Sequence, residues 1–197
     1  RDNTFGTAEE DAFRRDFTIN ALFYDAANRS ILDYVDGMRD IRSRTIRSIG
    51  DPNERFVEDP VRMLRAVVLA ARLELSIDPA VTEAIRRYRG ELVHSSPARL
   101  LEELYKIARS GASERIIHDL GTTGLLKHFA PELDRARSAA LWRSLAALDQ
   151  YRRRFDDIPE PLGNPLFLGS IVSPFATIER PRRRAAQEPL AKRPLEV

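Results

Sequence analysis

Hydrophobic residues recur at helical spacing through the middle of the chain. Between Val61 and Ala71 they return every three or four positions, which predicts a helix with one buried face. The preceding Asp59-Pro60 is typical of a helix start, because Asp can cap and Pro suits the first helical position. By the same criteria we predict further helices at 78–89, 96–108, 113–120 and 131–151.

The beginning of the chain has a different pattern. Residues rich in β-formers lie at 17–25 and 30–35, with the turn-like segment 26–29 between them, which predicts a small hairpin. A short helix at 38–44 and a strand at 45–49 are expected to follow.

Prolines return repeatedly after residue 152, and residues 179–197 carry six Arg and Lys residues with few apolar anchors. This stretch is predicted to be a partly disordered basic tail, although the apolar piece 166–172 could dock on the helices. We therefore expect an α+β fold with three regions: a β-containing part at 1–50, a helical body at 51–151 and the tail at 152–197.

Composition limits the possible functions. Hydrophobic residues make up 43% of the 197, and no apolar run approaches the roughly 20 residues of a membrane span. The absence of Cys excludes disulfides and thiolate metal sites within the sequence. Only three of the 32 basic residues are Lys, and an Arg bias suits RNA, although a GC-rich genome would produce the same bias.

Charged and polar residues first cluster at Arg14-Arg15-Asp16, followed by Asn20. These residues could form surface ion pairs of little energetic value. Alternatively, Arg can clamp phosphate, Asp can join a carboxylate cluster that holds a divalent metal, and Asn can bind a ribose hydroxyl.

A second cluster is Glu58-Asp59-Pro60-Val61-Arg62, continuing to Arg65. On a helix that begins at Asp59, Arg62 lies one turn further along the same face. The two side chains could pair with each other. They could instead read a base, with Asp accepting from the exocyclic amine of adenine or cytosine and Arg donating to the adjacent ring nitrogen.

The segment between the two clusters, Gly50-Asp51-Pro52 through Arg55-Phe56, is interpreted as a turn ahead of a helix. Its aromatic residue, Phe56, is expected to pack in the core rather than to stack on a base.

Both clusters resemble the class II nucleotidyltransferases, the family of CCA-adding tRNA enzymes and bacterial poly(A) polymerases. The resemblance is carried by residues 1–22, which contain Arg14-Arg15-Asp16-Phe17-Thr18-Ile19-Asn20-Ala21, and by 49–66, which contain Glu58-Asp59-Pro60-Val61-Arg62. It implies a polymerase-β-like palm followed by a helical neck.

The resemblance also implies a role for individual residues. Asp16 corresponds to the third active-site carboxylate, and Arg15 and Asn20 to residues that contact triphosphate and ribose. Asp59 and Arg62 correspond to the pair that templates the incoming base, with Glu58 fixing their geometry. Three more residues complete the set: Arg65 near phosphate, and Asp51 and Arg55 at the hinge between palm and neck.

The family's two metal-binding Asp residues precede the segment that matches, so the chain is expected to be part of a longer protein. Because two-metal phosphoryl transfer needs those carboxylates, we expect the Mg²⁺ site to be incomplete here and this chain alone to be inactive.

The implied function is transfer of AMP from ATP to RNA 3′ ends, favoured by the poly(A)-polymerase-like opening 1–12 and the basic tail. The alternatives are CCA addition to tRNA and a non-catalytic RNA-binding module. We expect a cytoplasmic protein without a membrane segment, and a monomer.

Overall fold

The computed structural model describes residues 6–155 and 163–178. Within these ranges, four short strands lie among the helices: β1 (Leu22–Asp25), β2 (Ser30–Asp33), β3 (Thr45–Ile46) and β4 (Ser76–Ile77). The α-helices, in chain order, are α1 (Ala8–Arg14), α2 (Gly37–Arg42), α3 (Pro52–Glu58), α4 (Val61–Leu73), α5 (Pro79–Tyr88), α6 (Pro97–Ala108), α7 (Ser113–Thr123), α8 (Leu126–Phe129), α9 (Pro131–Arg135), α10 (Ala139–Arg152) and α11 (Asn164–Ile178).

The predicted hairpin is confirmed. β1 and β2 pair antiparallel, with Leu22 opposite Asp33 and Asp25 opposite Ser30. The carboxylate of Asp33 accepts hydrogen bonds from the backbone N–H groups of Gly37 and Met38 at 2.9 and 2.8 Å. These bonds satisfy donors in the first turn of α2, so that helix begins one residue earlier than predicted.

The strand predicted at 45–49 is wrong beyond Ile46. Thr45 and Ile46 pair parallel with β4, which the sequence pattern did not indicate. Ser48 instead forms an isolated antiparallel bridge with Phe17. The chain changes partner between the two, so neither pairing extends into a longer strand.

The segment interpreted as a turn ahead of a helix is itself the helix α3, so that prediction was wrong. Asp51 caps it by accepting from the N–H of Asn53 at 2.9 Å, and Pro52 occupies the first helical position. Phe56 is buried, as predicted. The next helix begins at Val61 rather than Asp59, because Asp59 ends α3 in extended conformation.

The single helix predicted at 131–151 is two helices, α9 and α10. Ser138 is extended and its hydroxyl accepts from the N–H of Leu141, which is an N-cap and starts a new helix. The sequence contained this signal, but the apolar periodicity on both sides concealed the break.

One buried cluster runs through most of the described chain. Phe17 and Ile46 from the β-containing part pack in the same core as Phe56 and Leu64, and these four residues are at most 1% exposed. The segment that carries Asp16 is therefore held against α4 by hydrophobic packing. The predicted division at residue 50 remains a prediction.

Helix α11 falls within the predicted tail, and its Phe167 and Ile171 are buried in the main core. The expected docking of 166–172 is thus confirmed, whereas Pro174 was wrongly expected to interrupt regular structure. Proline cannot donate to the carbonyl of Ser170, four residues earlier, and that oxygen instead accepts from Ser144 Oγ at 2.6 Å. The predicted disorder at 179–197 lies outside the described residues.

Candidate nucleotide-binding site

Asp16 lies where the N-terminal segment meets helix α4. Its neighbour Phe17 is 1% exposed and anchors the backbone. The two carboxylate oxygens accept from Arg62 Nε at 2.8 Å and from Arg65 Nη1 at 2.9 Å. The structure thus brings the first predicted cluster against the second, although 46 positions separate Asp16 from Arg62 in sequence.

Arg62 is fixed by two acidic side chains. Its Nη1 donates to Glu58 Oε2 and to the carbonyl of Arg55, the latter at 3.0 Å, and only 12% of its side chain is exposed. Burial would lower the pKa of Arg62, but the hydrogen bonds that it donates to Glu58 and Asp16, and the charges of these carboxylates, raise the pKa overall. Among the described residues no hydrogen bond engages Nη2, so this nitrogen can donate to a ligand.

Asp59 does not form an ion pair with Arg62. One of its oxygens accepts from the N–H of Val61 at 3.2 Å, and the other accepts from Arg99 Nη2 at 2.7 Å. The N–H of Arg62 donates to the carbonyl of Asp59 at 3.1 Å, so the two residues stay adjacent through the backbone. The sequence allowed an ion pair between Asp59 and Arg62. The structure does not contain it, and each of the two side chains has other partners.

Arg99, in the first turn of α6, was not identified from the sequence. Burial raises the pKa of Asp59, but the hydrogen bond and charge of Arg99, with contributions from Val61 and Arg65, lower it overall. Asp59 therefore stays ionised and able to accept a hydrogen bond. Ser96-Pro97 predicted the helix, but nothing in the sequence indicated which acid Arg99 would contact.

Arg65 connects Asp16 to the buried side chain of Glu103. Glu103 is 4% exposed and accepts from Arg65 Nε at 3.4 Å and from Lys106 Nζ at 2.8 Å. Burial would lower the pKa of Arg65, but the bond and charge of Asp16, with charges from Glu103 and Asp59, raise it overall. Glu103 and Lys106 were also missed by the sequence analysis.

Arg15 and Asn20 contact each other in the segment that carries Asp16. The Arg15 guanidinium bonds to Asp11 at 2.8 Å and to the Asn20 carbonyl at 3.1 Å, and lies over the Phe23 ring. Asn20 lines a cavity of about 370 Å³ together with Asp16 and Arg65. Arg15 is not among the residues that line this cavity.

Asp51 and Arg55 have structural partners around α3. Asp51 is its N-cap, and Arg55 Nη2 donates to the backbone carbonyls of Arg14 and Arg15 at 3.2 and 3.0 Å. Arg55 Nη1 also donates to Glu58 at 3.0 Å. Arg55 thus joins the end of α1 to the residues that hold Arg62.

The described residues do not by themselves fit a divalent metal. Both oxygens of Asp16 are bonded to guanidinium groups, and within 6–155 and 163–178 no cluster of three His, Cys, Asp or Glu side chains is placed to hold an ion. A Mg²⁺ ion needs several oxygen ligands, of which Asp16 could supply at most one or two. A complete magnesium site would therefore need carboxylates in addition to Asp16.

Comparisons with known proteins identify the family. The model of the family described as "Poly A polymerase head domain" matches residues 1–47, and that described as "Probable RNA and SrmB- binding site of polymerase A" matches residues 74–137. The Poly(A) polymerase I of Salmonella typhimurium is 46% identical over 135 residues. The chain belongs to the family of bacterial poly(A) polymerases and CCA-adding enzymes.

The relatives include CCA-adding enzymes as well as poly(A) polymerases. The CCA-adding enzyme of Bacillus licheniformis is 41% identical over 133 residues, which are 68% of this chain and 33% of that enzyme. The Salmonella match covers 68% of this chain and 29% of the relative, so the chain spans about a third of the curated relatives it matches.

Solved structures confirm the α+β architecture of this nucleotidyltransferase family. The Bacillus stearothermophilus CCA-adding enzyme in complex with CTP superposes with a TM-score of 0.64 and 28% identity, over 92% of this chain and 50% of that one. A tRNA nucleotidyltransferase complexed with a primer tRNA and an incoming ATP analog gives 0.65 and 25%, over 88% and 52%. No helix in the described part of the chain is long and apolar enough to span a membrane.

Proposed function

We propose that this chain supplies the base-reading and RNA-facing part of an enzyme that transfers AMP from ATP to the 3′-hydroxyl of RNA. The observation that carries the proposal is the fixation of Arg62 by Asp16 and Glu58 beside an ionised Asp59. A guanidinium held at two of its nitrogens loses little conformational freedom on binding, which favours selective recognition.

The chemistry of the two side chains selects among bases. Adenine and cytosine each present an exocyclic amine beside an unprotonated ring nitrogen. The carboxylate of Asp59 can accept from the amine, and Nη2 of Arg62 can donate to the ring nitrogen. Uracil and guanine present a carbonyl beside a ring N–H, so neither hydrogen bond could form.

The remaining site residues have proposed roles that follow from the family resemblance. Asp16 would serve as an active-site carboxylate, Arg15 and Asn20 would contact triphosphate and ribose, and Arg65 would lie near phosphate. Asp51 and Arg55 would act at the hinge. The position of Asn20 and Arg65 on the cavity beside Asp16 supports these roles.

The second candidate is CCA addition to tRNA. The same pair accepts cytosine as well as adenine, and the solved CCA-adding enzyme bound to CTP has this fold. We favour poly(A) addition because the opening segment 1–12 and the basic residues after 178 resemble poly(A) polymerases more closely. The proposal places the whole enzyme in the cytoplasm, acting as a monomer on RNA 3′ ends.

The experiment is calorimetric titration of the chain with each of ATP, CTP, UTP and GTP. We expect ATP and CTP to bind at least about tenfold more tightly than UTP and GTP, which corresponds to roughly 1.4 kcal/mol. Arg62→Gln should abolish this preference, while Arg86→Gln, on the exposed face of α5, should retain it.

Equal affinity for all four nucleotides would refute the proposal that Asp59 and Arg62 recognise the base. RNA binding that is insensitive to every nucleotide would favour the non-catalytic RNA-binding module. The choice between ATP and CTP as substrate needs the complete enzyme, incubated with RNA and each nucleotide separately. Strong incorporation of CTP into tRNA would favour CCA addition.

A further inference from the structure

A cavity of about 630 Å³ lies between helices α7 and α10, and it shares no lining residue with the cavity beside Asp16. Its wall consists of four residues of α7 and one of α10: Glu114, Arg115, His118, Asp119 and Trp142. The ring centroids of His118 and Trp142 are 6.4 Å apart. Trp142 packs partly against the main core, and the exposed part of its ring lines the cavity.

Acidic side chains outnumber basic ones around this cavity. Arg115 Nη1 lies 3.4 Å from Glu74 Oε1, and Arg115 Nε lies 3.8 Å from Asp119 Oδ2, so the charge of this arginine is balanced. The carboxylate of Glu114 has no hydrogen bond or ion pair with another residue in 6–155 or 163–178; only its backbone N–H is bonded. Three carboxylates therefore surround one guanidinium, in a chain whose formal net charge is +2.

An aromatic ring beside an unpaired carboxylate fits a cationic side chain. A guanidinium can stack on the ring of Trp142 while it pairs with Glu114. A phosphate group would be repelled by the surrounding carboxylates, which argues against nucleic acid as the ligand of this cavity. The cavity is therefore suited to an arginine.

The orientation of α11 indicates where such an arginine could come from. Ser144 Oγ on α10 donates to the carbonyl of Ser170 on α11. Arg109 bonds to Asn164, at the start of α11, and to Arg152, at the end of α10. The two helices are therefore antiparallel, and the C-terminal end of α11 points toward the first turn of α10, which carries the tryptophan.

The sequence that follows α11 is basic and long enough to reach the cavity. Residues 179–184 contain four arginines, at positions 180, 182, 183 and 184. Trp142 and Ser144 are about 200° apart around α10, so the cavity lies on the face opposite α11. Six extended residues span up to about 20 Å, which exceeds the diameter of a helix, roughly 10–12 Å.

We propose that this cavity binds an arginine from residues 180–184 of the same chain, with its guanidinium over Trp142 and paired with Glu114. A segment joined to its site by a few residues has a high effective concentration there, so weak contacts are sufficient for docking. The docking does not depend on the proposed nucleotide transfer.

The test is acrylamide quenching of the fluorescence of Trp142, which is the only Trp in the sequence. In the full chain, replacing Arg180, Arg182, Arg183 and Arg184 together with Gln should raise the quenching constant about twofold, because a stacked guanidinium covers one face of the ring. High salt should bring the wild type close to this variant, since the docking is electrostatic.

A synthetic peptide of residues 179–197, added to the four-arginine variant, should bind saturably and lower the quenching constant again. Glu114→Gln should weaken this binding about three- to fivefold, as expected for an exposed ion pair. The Glu114 side chain is exposed, so the substitution leaves the core unchanged. Glu83→Gln removes the same charge from the exposed face of α5 and should leave the peptide affinity unchanged.

Equal quenching in the wild type and the four-arginine variant would overturn the proposal. If the peptide then bound nonetheless, the cavity would take a basic segment of another protein. Equal peptide affinity in Glu114→Gln and Glu83→Gln would also overturn the proposal. Quenching of the wild type that depends on protein concentration would mean that the arginine comes from a second copy, and the assignment to the same chain would be wrong.

Discussion

Replacement of Asp16 by Asn tests whether this carboxylate holds the N-terminal segment against α4. Asn has nearly the same shape but no charge, and its amide nitrogen cannot accept a hydrogen bond. One of the two bonds from Arg62 and Arg65 is therefore lost, and the other loses its ion-pair character. Each hydrogen bond to a charged group contributes about 1.5–3 kcal/mol. The Asp16 side chain is 18% exposed and that of Arg65 is 38% exposed, so solvent screening reduces the sum.

We therefore expect Asp16→Asn to lower the free energy of unfolding by about 2 kcal/mol. In a chain of this size that corresponds to a fall in Tm of about 4–8 °C. Urea denaturation followed by circular dichroism measures the free energy, and a thermal scan measures Tm.

The control is Glu83→Gln, which removes an exposed ion pair with Arg86 and should change stability by less than about 0.5 kcal/mol. A double-mutant cycle between Asp16→Asn and Arg62→Gln should give a coupling energy of about 1–2 kcal/mol. An Asp16→Asn variant as stable as Glu83→Gln, or a coupling energy near zero, would refute the reasoning.

Three further outcomes are expected. Arg99→Gln leaves Asp59 without its ionic partner, so ATP affinity should fall about three- to tenfold in calorimetry, equivalent to about 0.7–1.4 kcal/mol. Since the pKa of Asp59 is lowered, its contribution to stability is present above the ordinary pKa of 3.8 and is lost as pH falls through the lower folded value. The stability difference between wild type and Asp59→Asn should therefore be constant near neutral pH and shrink as pH falls below 3.8. Phe167→Ala should cost about 3–5 kcal/mol in urea denaturation, because Phe167 is 1% exposed in the main core.

A different result would contradict each of these three predictions. Unchanged ATP affinity in Arg99→Gln would mean that Arg99 does not hold Asp59 for a ligand. A stability difference that grows toward low pH would reverse the sign assigned to Asp59. A loss of less than about 1 kcal/mol in Phe167→Ala would mean that α11 contributes little to the core.

Local signals in the sequence predicted the hairpin and most of the helices. The errors arose where two local signals competed. Asp51-Pro52 is as good a helix start as Asp59-Pro60, but few apolar residues follow it, so α3 was interpreted as a turn. Ser138 is a good cap, but the apolar pattern on both sides favoured one continuous helix.

Contacts between distant residues could not be predicted from patterns. The family resemblance grouped Asp16 with Arg62, and the structure brings them together. No periodicity pairs Asp59 with Arg99, 40 residues away, since that contact depends on how α4 and α6 pack. Glu103 was missed because an acid in an amphipathic helix is usually a solvated surface residue, whereas this one is buried.

The hydrogen bonds between Arg55 and the end of α1 affect which substitutions this region can accept. Its guanidinium holds the main-chain oxygens of Arg14 and Arg15, which every amino acid provides. Exchanging the side chain at either position would therefore leave the tether intact. Those two side chains can adapt to a nucleotide or to another ligand without loosening the alignment of Glu58 and Arg62.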